Sequence, residues 1–243
     1  MFPFPRRKPL EVIVFSEIFS IVKGRLLRTK EISDVLRALA DFRVTKLTVI
    51  EERGDDRVRK ELSSIFTYAF TPPYLKKYIK MMPLLSKVGV LSPIDVSYHR
   101  VPDFPVEGDV RLSENGDLGI KGCRGNRGYV MIVDSANCRS INYIPLFYSG
   151  PELNFETLDQ VRRRENLIVA SRSGGDPYVE KAKILDMYER KGLALLIGPP
   201  SEGVIKHFPG VPSLNFLPKQ GTANVRSKEA LISALVVLNY ILS

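Results

Sequence analysis

Two glycine-bearing segments late in the chain have the residue types for gripping a ligand through main-chain atoms. The first is Gly198, Pro199, Pro200, Ser201, Glu202 and Gly203, directly after the apolar run LALLI at 193–197. The second, PKQGTANVR at 218–226, leads into a long apolar helical pattern. In parallel α/β sheets, ligands bind beyond the carboxyl ends of the strands. Glycine there lets a ligand approach the backbone, and proline holds the loop in shape. Either segment alone is more often a plain turn; two of them after consecutive strands make a stronger signal. Neither matches a G-x-G-x-x-G dinucleotide loop or a Walker phosphate loop, which argues against an NAD enzyme and a nucleoside triphosphatase.

Other chemistries are excluded by composition. His99 and His207 are the only histidines among 243 residues, so a histidine-rich metal site is ruled out. Cys123 and Cys138 make no close-spaced metal pattern and too few thiols for a disulfide framework, so reduced thiols are expected. The longest strongly apolar stretch, 231–242, is too short to span a membrane, and no signal-peptide core is present. A soluble, cytoplasmic protein is the expectation. Lys and Arg total 36 against 27 Asp and Glu, a net charge of +9. That excess favours a polyanionic partner such as RNA, because each neutralised phosphate releases counterions.

The elements that must position these loops follow from periodicity. EVIVF at 11–15 predicts a buried strand. A basic loop with Lys23, Arg25, Arg28 and Lys30 follows, then a helix over 29–42 capped by Thr29. KLTVIE at 46–51 predicts a second strand and 55–70 a second helix, an order that implies parallel strands with right-handed crossovers. From 96 to 145 short alternating runs replace this pattern. Val110, Leu112, Leu118 and Ile120 flank an Asn115-Gly116 pair, a hairpin signal, and 129–133 and 140–144 are further strand candidates. This stretch reads as a small OB-like β-barrel or open sheet inserted into one α/β domain made of 1–95 and 146–243. The α/β pattern resumes with strands at 166–171, 193–197 and 213–217. Between them a helix over 177–191 has Asp176 as cap and Gly192 as stop, and a final helix covers 227–242.

LNFLPKQGTANVRSKEALISALVVLN at 214–239 resembles the C-terminal signature of the archaeal and eukaryotic SPOUT family of RNA uridine N3-methyltransferases. TPPYLKKYIKMMPLLSKVGVLSPI at 71–94 resembles that family's second signature, and VLRALADFRV at 35–44 its first helix. The resemblance covers most of the chain and is weakest through 96–145. It implies an α/β fold whose C-terminal parallel sheet is tied in a deep trefoil knot. It also implies S-adenosyl-L-methionine as cofactor, structured RNA (ribosomal above all) as substrate, and a homodimer. Carried onto this chain, the first cofactor loop includes Gly198, Pro199 and Gly203. The second includes Asn215, Phe216, Leu217, Gln220, Gly221, Thr222 and Val225, and Ser171 and Arg172 line the same pocket. The chain departs from the family at Ala223, where an acid is common, and at Asn224, where threonine is usual. Backbone contacts tolerate both changes.

Methyl transfer from a sulfonium needs the acceptor aligned in line and water excluded. Uracil N3 must also lose a proton, and a fixed positive charge near O2 and O4 stabilises the resulting anion. Arg37 and Arg226 are the candidates for that charge, ahead of Arg172. Glu202, the only acid within these loops, is a candidate proton acceptor, with bracing of the loop or ribose binding as its stronger alternative, and His207 reads as a packed histidine. For RNA, the candidates are Arg28 in the basic N-terminal stretch and Lys76 and Lys77, which interleave with Tyr74 and Tyr78. Lys121, Arg124 and Arg127, bunched in a glycine-rich turn, complete the set. Rival readings keep the fold and change the acceptor to pseudouridine N1, guanine N1 or a ribose hydroxyl. Others make the chain a non-catalytic RNA-binding or ribosome-assembly factor, or a generic α/β ligand-binding protein.

Overall fold

The computed structural model describes residues 3–51, 56–199 and 203–243. Its centre is a six-stranded sheet in which every neighbouring pair is parallel. In chain order the strands are β1 (Leu10–Phe15), β2 (Lys46–Ile50), β6 (Glu152–Glu156), β7 (Leu167–Gly175), β8 (Leu193–Ile197) and β9 (Ser213–Leu214). Across the sheet they run β6-β2-β1-β8-β7-β9. β1 and β8 lie side by side in the middle, and every residue of both is buried. That is why neither alternates: β8 is apolar throughout, and β1 is apolar except for Glu11.

The two faces are covered unequally. Leu10, Val12, Val14, Leu47, Val49, Leu193, Leu195 and Ile197 point into the larger cluster. There they meet α2 (Arg25–Asp41), α3 (Asp56–Phe70), α5 (Lys181–Lys191) and α6 (Ser227–Ile241). Ile13, Phe15, Leu167, Val169, Ala194 and Leu196 face the other way. They meet Val161 and Leu158 of the short α4 (Leu158–Arg162) and Val204, Phe208 and Val211 in and after a 3₁₀ turn. Leu195 and Leu196 are both fully buried, one on each face. Truncating either to Ala removes about 2–5 kcal/mol.

Several element ends differ from the sequence expectation for local reasons. α2 begins four residues early, because Gly24 at φ 86° makes the entry turn; Thr29 is therefore a fully buried residue inside the helix, not its cap. α5 begins at Lys181, since Asp176 caps a preceding turn by accepting the Tyr178 amide at 2.8 Å. β9 stops at Leu214. Gly192 ends α5 at φ 80°, as expected. β6 went unforeseen, because ELNFE mixes acids with apolar residues at the sheet edge.

Within 96–145 a separate antiparallel sheet joins β3 (Val110–Ser113), β4 (Gly128–Asp134) and β5 (Arg139–Asn142) in the order β3-β4-β5. Asn115 and Gly116 do form a tight turn, both at positive φ, closed by the Glu114–Asp117 bridge. However, β3 pairs with β4, not with residues 118–120. Leu118 and Ile120 instead fill the small core beneath Val130 and Ile132. The expectation of free thiols is corrected here: Cys123 and Cys138 are joined by a disulfide with Cα atoms 5.4 Å apart. Only the fold brings two thiols 15 residues apart onto adjoining turns.

Candidate functional site

The carboxyl ends of β7, β8 and β9 are stitched into one surface by side chains bonding to main chain. The stretch after Ala170 bulges before rejoining the sheet, so that Leu214 is paired with both Ala170 and Gly175. Asn215 fastens β9 to this bulge. Its amide N–H donates to the Gly175 carbonyl at 2.8 Å, its Nδ2 donates to the Arg172 carbonyl at 3.0 Å, and its Oδ1 accepts from the Leu217 amide at 3.0 Å. Arg172 returns the contact through Nη1, which donates to the Ala223 carbonyl at 2.8 Å. The third segment joins where Ser227 Oγ donates to the Gly198 carbonyl at 3.0 Å. Asparagine, arginine and serine suit these bonds because each reaches a carbonyl without covering the loop.

Glycine makes the crossing possible. A Cβ at Gly174 would lie 2.5 Å from the Leu214 main-chain nitrogen, against backbone that cannot step aside. Gly198 sits tightly against Val204, whereas Gly203 and Gly221 have open space around them.

The loop between β9 and α6 is braced from within. Gln220 Nε2 donates to the Thr222 and Ala223 carbonyls at 2.8 and 3.2 Å, and Thr222 Oγ1 donates to the Asn224 carbonyl at 3.0 Å. The Thr222, Ala223 and Asn224 carbonyls are thus occupied, while the amides of Gly221, Thr222, Ala223, Asn224 and Val225 donate to no acceptor among the described residues. Such a run of free donors beside the positive end of a helix is a place for an acceptor-rich ligand. Leu217 is exposed at the loop's start, and Phe216 is buried in the main core. Arg226 is exposed, and its amide donates to Glu229 Oε2 at 3.1 Å, opening α6.

The structure brings Ser171, Arg172, Gly198, Asn215, Gln220, Thr222 and the start of α6 together. Pro199 and Gly203 flank the rest of the first loop. Glu202, the candidate proton acceptor, lies outside the described residues. Arg37 is not brought to this surface. Its guanidinium engages Asp41 and the Pro93 carbonyl and lines a cleft of about 230 Å³ with Asp95 and Tyr148.

The RNA candidates divide in the same way. Arg28 is largely buried and pairs with Glu61 at 2.8 Å. Lys76 lies 4.5 Å from the centre of the Tyr68 ring, and burial lowers its pKa. Lys77 meets Asp117 at 2.6 Å, which raises its pKa. The Tyr74 and Tyr78 hydroxyls are both engaged. The Tyr74 hydroxyl both donates to and accepts from the Leu112 main chain, at 2.8 and 3.0 Å, and burial pushes it up to about 12. The Tyr78 hydroxyl donates to Asp117 at 2.8 Å. Residues 73–78 thus link the small sheet to α3, where Lys76 meets Tyr68, a role that sequence spacing alone did not indicate. Lys121, Arg124 and Arg127 are exposed at the far turn, and among the described residues only the Arg124 side chain of the three is hydrogen-bonded, by a long contact to the Asn115 carbonyl.

Among the described residues, no cluster of His, Cys, Asp or Glu could hold a metal ion, and no helix is long and apolar enough to cross a membrane. No family model matches the chain. An uncharacterized protein of Haloarcula marismortui is 24% identical over 277 residues, spanning 93% of this chain and 97% of its own. A solved chain described as giving structural insights into the 2-OH methylation of C/U34 on tRNA is 13% identical. It aligns over 98% of this chain and 92% of its own with a TM-score of 0.41.

Proposed function

We propose that this protein is an S-adenosylmethionine-dependent methyltransferase of the SPOUT class acting on structured RNA, with uridine N3 in ribosomal RNA as the acceptor. The observation that carries the reading is the stitched surface beyond β7, β8 and β9, with its run of undonated amides at 221–225. The cofactor, when bound, supplies an electrophilic methyl group on sulfur. Free amides suit its adenine and carboxylate acceptors, and the exposed Leu217 offers apolar contact. No strong fixed carboxylate is needed for such a grip, so Ala223 and Asn224 are tolerated.

In this mechanism the loops after β8 and β9 hold the methyl donor still and exclude water around it. The exposed guanidinium of Arg226 supplies positive charge to the uracil oxygens as N3 loses its proton. Glu202 takes that proton. Arg37 stands apart from this step, at the separate cleft it lines. The bulge after Ala170 and the return through Leu214 belong to a trefoil knot in this reading. A second copy of the chain completes the site as a homodimer, and the turn bearing Lys121, Arg124 and Arg127 holds RNA phosphates.

Calorimetric titration with S-adenosylmethionine and with its demethylated product tests the cofactor; no heat from either removes the enzymatic reading and leaves an RNA-binding or assembly factor. Mass spectrometry of nucleosides from cells with and without the protein identifies the acceptor. A modification other than N3-methyluridine would replace the acceptor and keep the class.

A further inference from the structure

We propose that Lys228 is the positioning residue through which α2 fixes the far end of the loop 215–226. This rests on the reading of that loop as the cofactor grip. Lys228 is the second residue of α6, where the helix dipole disfavours a cation. It is nevertheless held there, its Nζ 2.7 Å from Glu31 and 3.2 Å from Asp34 on α2, nearly two hundred residues earlier. Asp34 is also bonded by Lys30 at 2.7 Å. The groups are partly shielded: the Lys228, Glu31 and Asp34 side chains are 24%, 19% and 28% exposed. Burial alone would lower the Lys228 pKa, but the two carboxylates outweigh it and raise it; Asp34 is correspondingly lowered.

The neighbouring contacts give this pair its meaning. The loop's near end is pinned by Asn215 to Gly175 and Arg172. Its far end is pinned by Ser227, one residue before Lys228, to Gly198. Between these ends Phe216 packs into the main core, and the polar contacts seen among the described residues are internal or come from Arg172. The ion pair therefore decides where α6 starts relative to β8, and so where the free amides point. Lys228 touches no ligand in this arrangement and acts through the loop.

The test is hydrogen exchange of the amides at 215–226, run beside calorimetry with S-adenosylhomocysteine. Lys228→Met is expected to speed exchange across that loop about fivefold and to weaken binding by a similar factor, while β1 and β8 exchange as before. Lys228→Arg restores both, and the Glu31→Gln, Asp34→Asn double variant reproduces the loss. Unchanged loop exchange in Lys228→Met overturns the proposal, as does an equal loss in Lys228→Arg. If the unaltered protein binds no S-adenosylhomocysteine, the cofactor reading fails, and the exchange data alone decide the role of Lys228.

Discussion

The two sheets of this molecule are held together in opposite ways. The small antiparallel sheet is made of neighbours: β3, β4 and β5 follow one another, a disulfide closes 15 residues, and Arg111 bonds carbonyls within ten residues of itself. The parallel sheet is made of strangers. Glu11 of β1 is gripped by Arg164, which also holds Glu156 of β6, and Arg6 reaches Asn239. A region built of local contacts can change its tip without disturbing the rest. A region built of distant ones makes each loop depend on the whole chain, and that suits a ligand site needing several segments at once.

The sharpest way to break this contrast is at Gly174. Gly174→Val drives a side chain into the Leu214 backbone and is expected to cost more than about 3 kcal/mol in denaturant unfolding. Gly203→Ala and Gly221→Ala meet no atoms and should stay within about 0.5 kcal/mol of the parent. Equal costs at all three would mean that the crossing is not tight.

Next comes the Glu11 cluster. Burial pushes the Glu11 carboxyl up, but hydrogen bonds from Arg164 and Thr48 and the Lys46 charge outweigh it, so its pKa is lowered from 4.5. A depressed carboxylate contributes stability that is present above the unfolded value and lost as pH falls through the folded one. Stability should therefore drop on acidification below about pH 4.5. Arg164→Met should cost about 3 kcal/mol at neutral pH and flatten that acid limb. An unchanged acid limb in the variant would assign the drop to other carboxylates.

Reducing the disulfide releases a 15-residue closure worth up to about 3 kcal/mol, confined to the small sheet. Amide exchange should rise over 110–142 and stay constant in β1 and β8; a rise in both sheets would erase the distinction drawn here. The smallest effect on stability is expected from replacing Lys121, Arg124 and Arg127 with Ser. Unfolding should shift by less than about 0.5 kcal/mol, while RNA affinity falls and cofactor affinity holds. RNA affinity equal to the parent's would remove the turn from the substrate surface.

The same contrast explains what was legible in the sequence. β1, β2 and β8 announce themselves because burial on both faces forces mostly apolar runs that do not alternate. Gly192 and Glu229 mark helix ends through chemistry confined to one turn. The strand-end loops were visible as glycine and proline after such runs, but Asn215 as a stitch, Lys228 as an anchor and Arg28 as a partner of Glu61 were not. Each depends on a residue far away in the chain, and no spacing rule carries that information. Tyr74 and Tyr78 show the converse: interleaved with lysines they suggested base stacking, yet the fold spends their hydroxyls on fastening the small sheet.

The pairing of Leu10 with Leu193 at the middle of the parallel sheet sets a timetable for synthesis. β8 follows β1 by about 180 residues, so β1 leaves the ribosome well before its partner. At ~5–20 residues per second, that leaves one edge of an apolar strand without its mate for roughly ten to forty seconds. The nascent protein must keep that edge from sticking to other chains throughout translation.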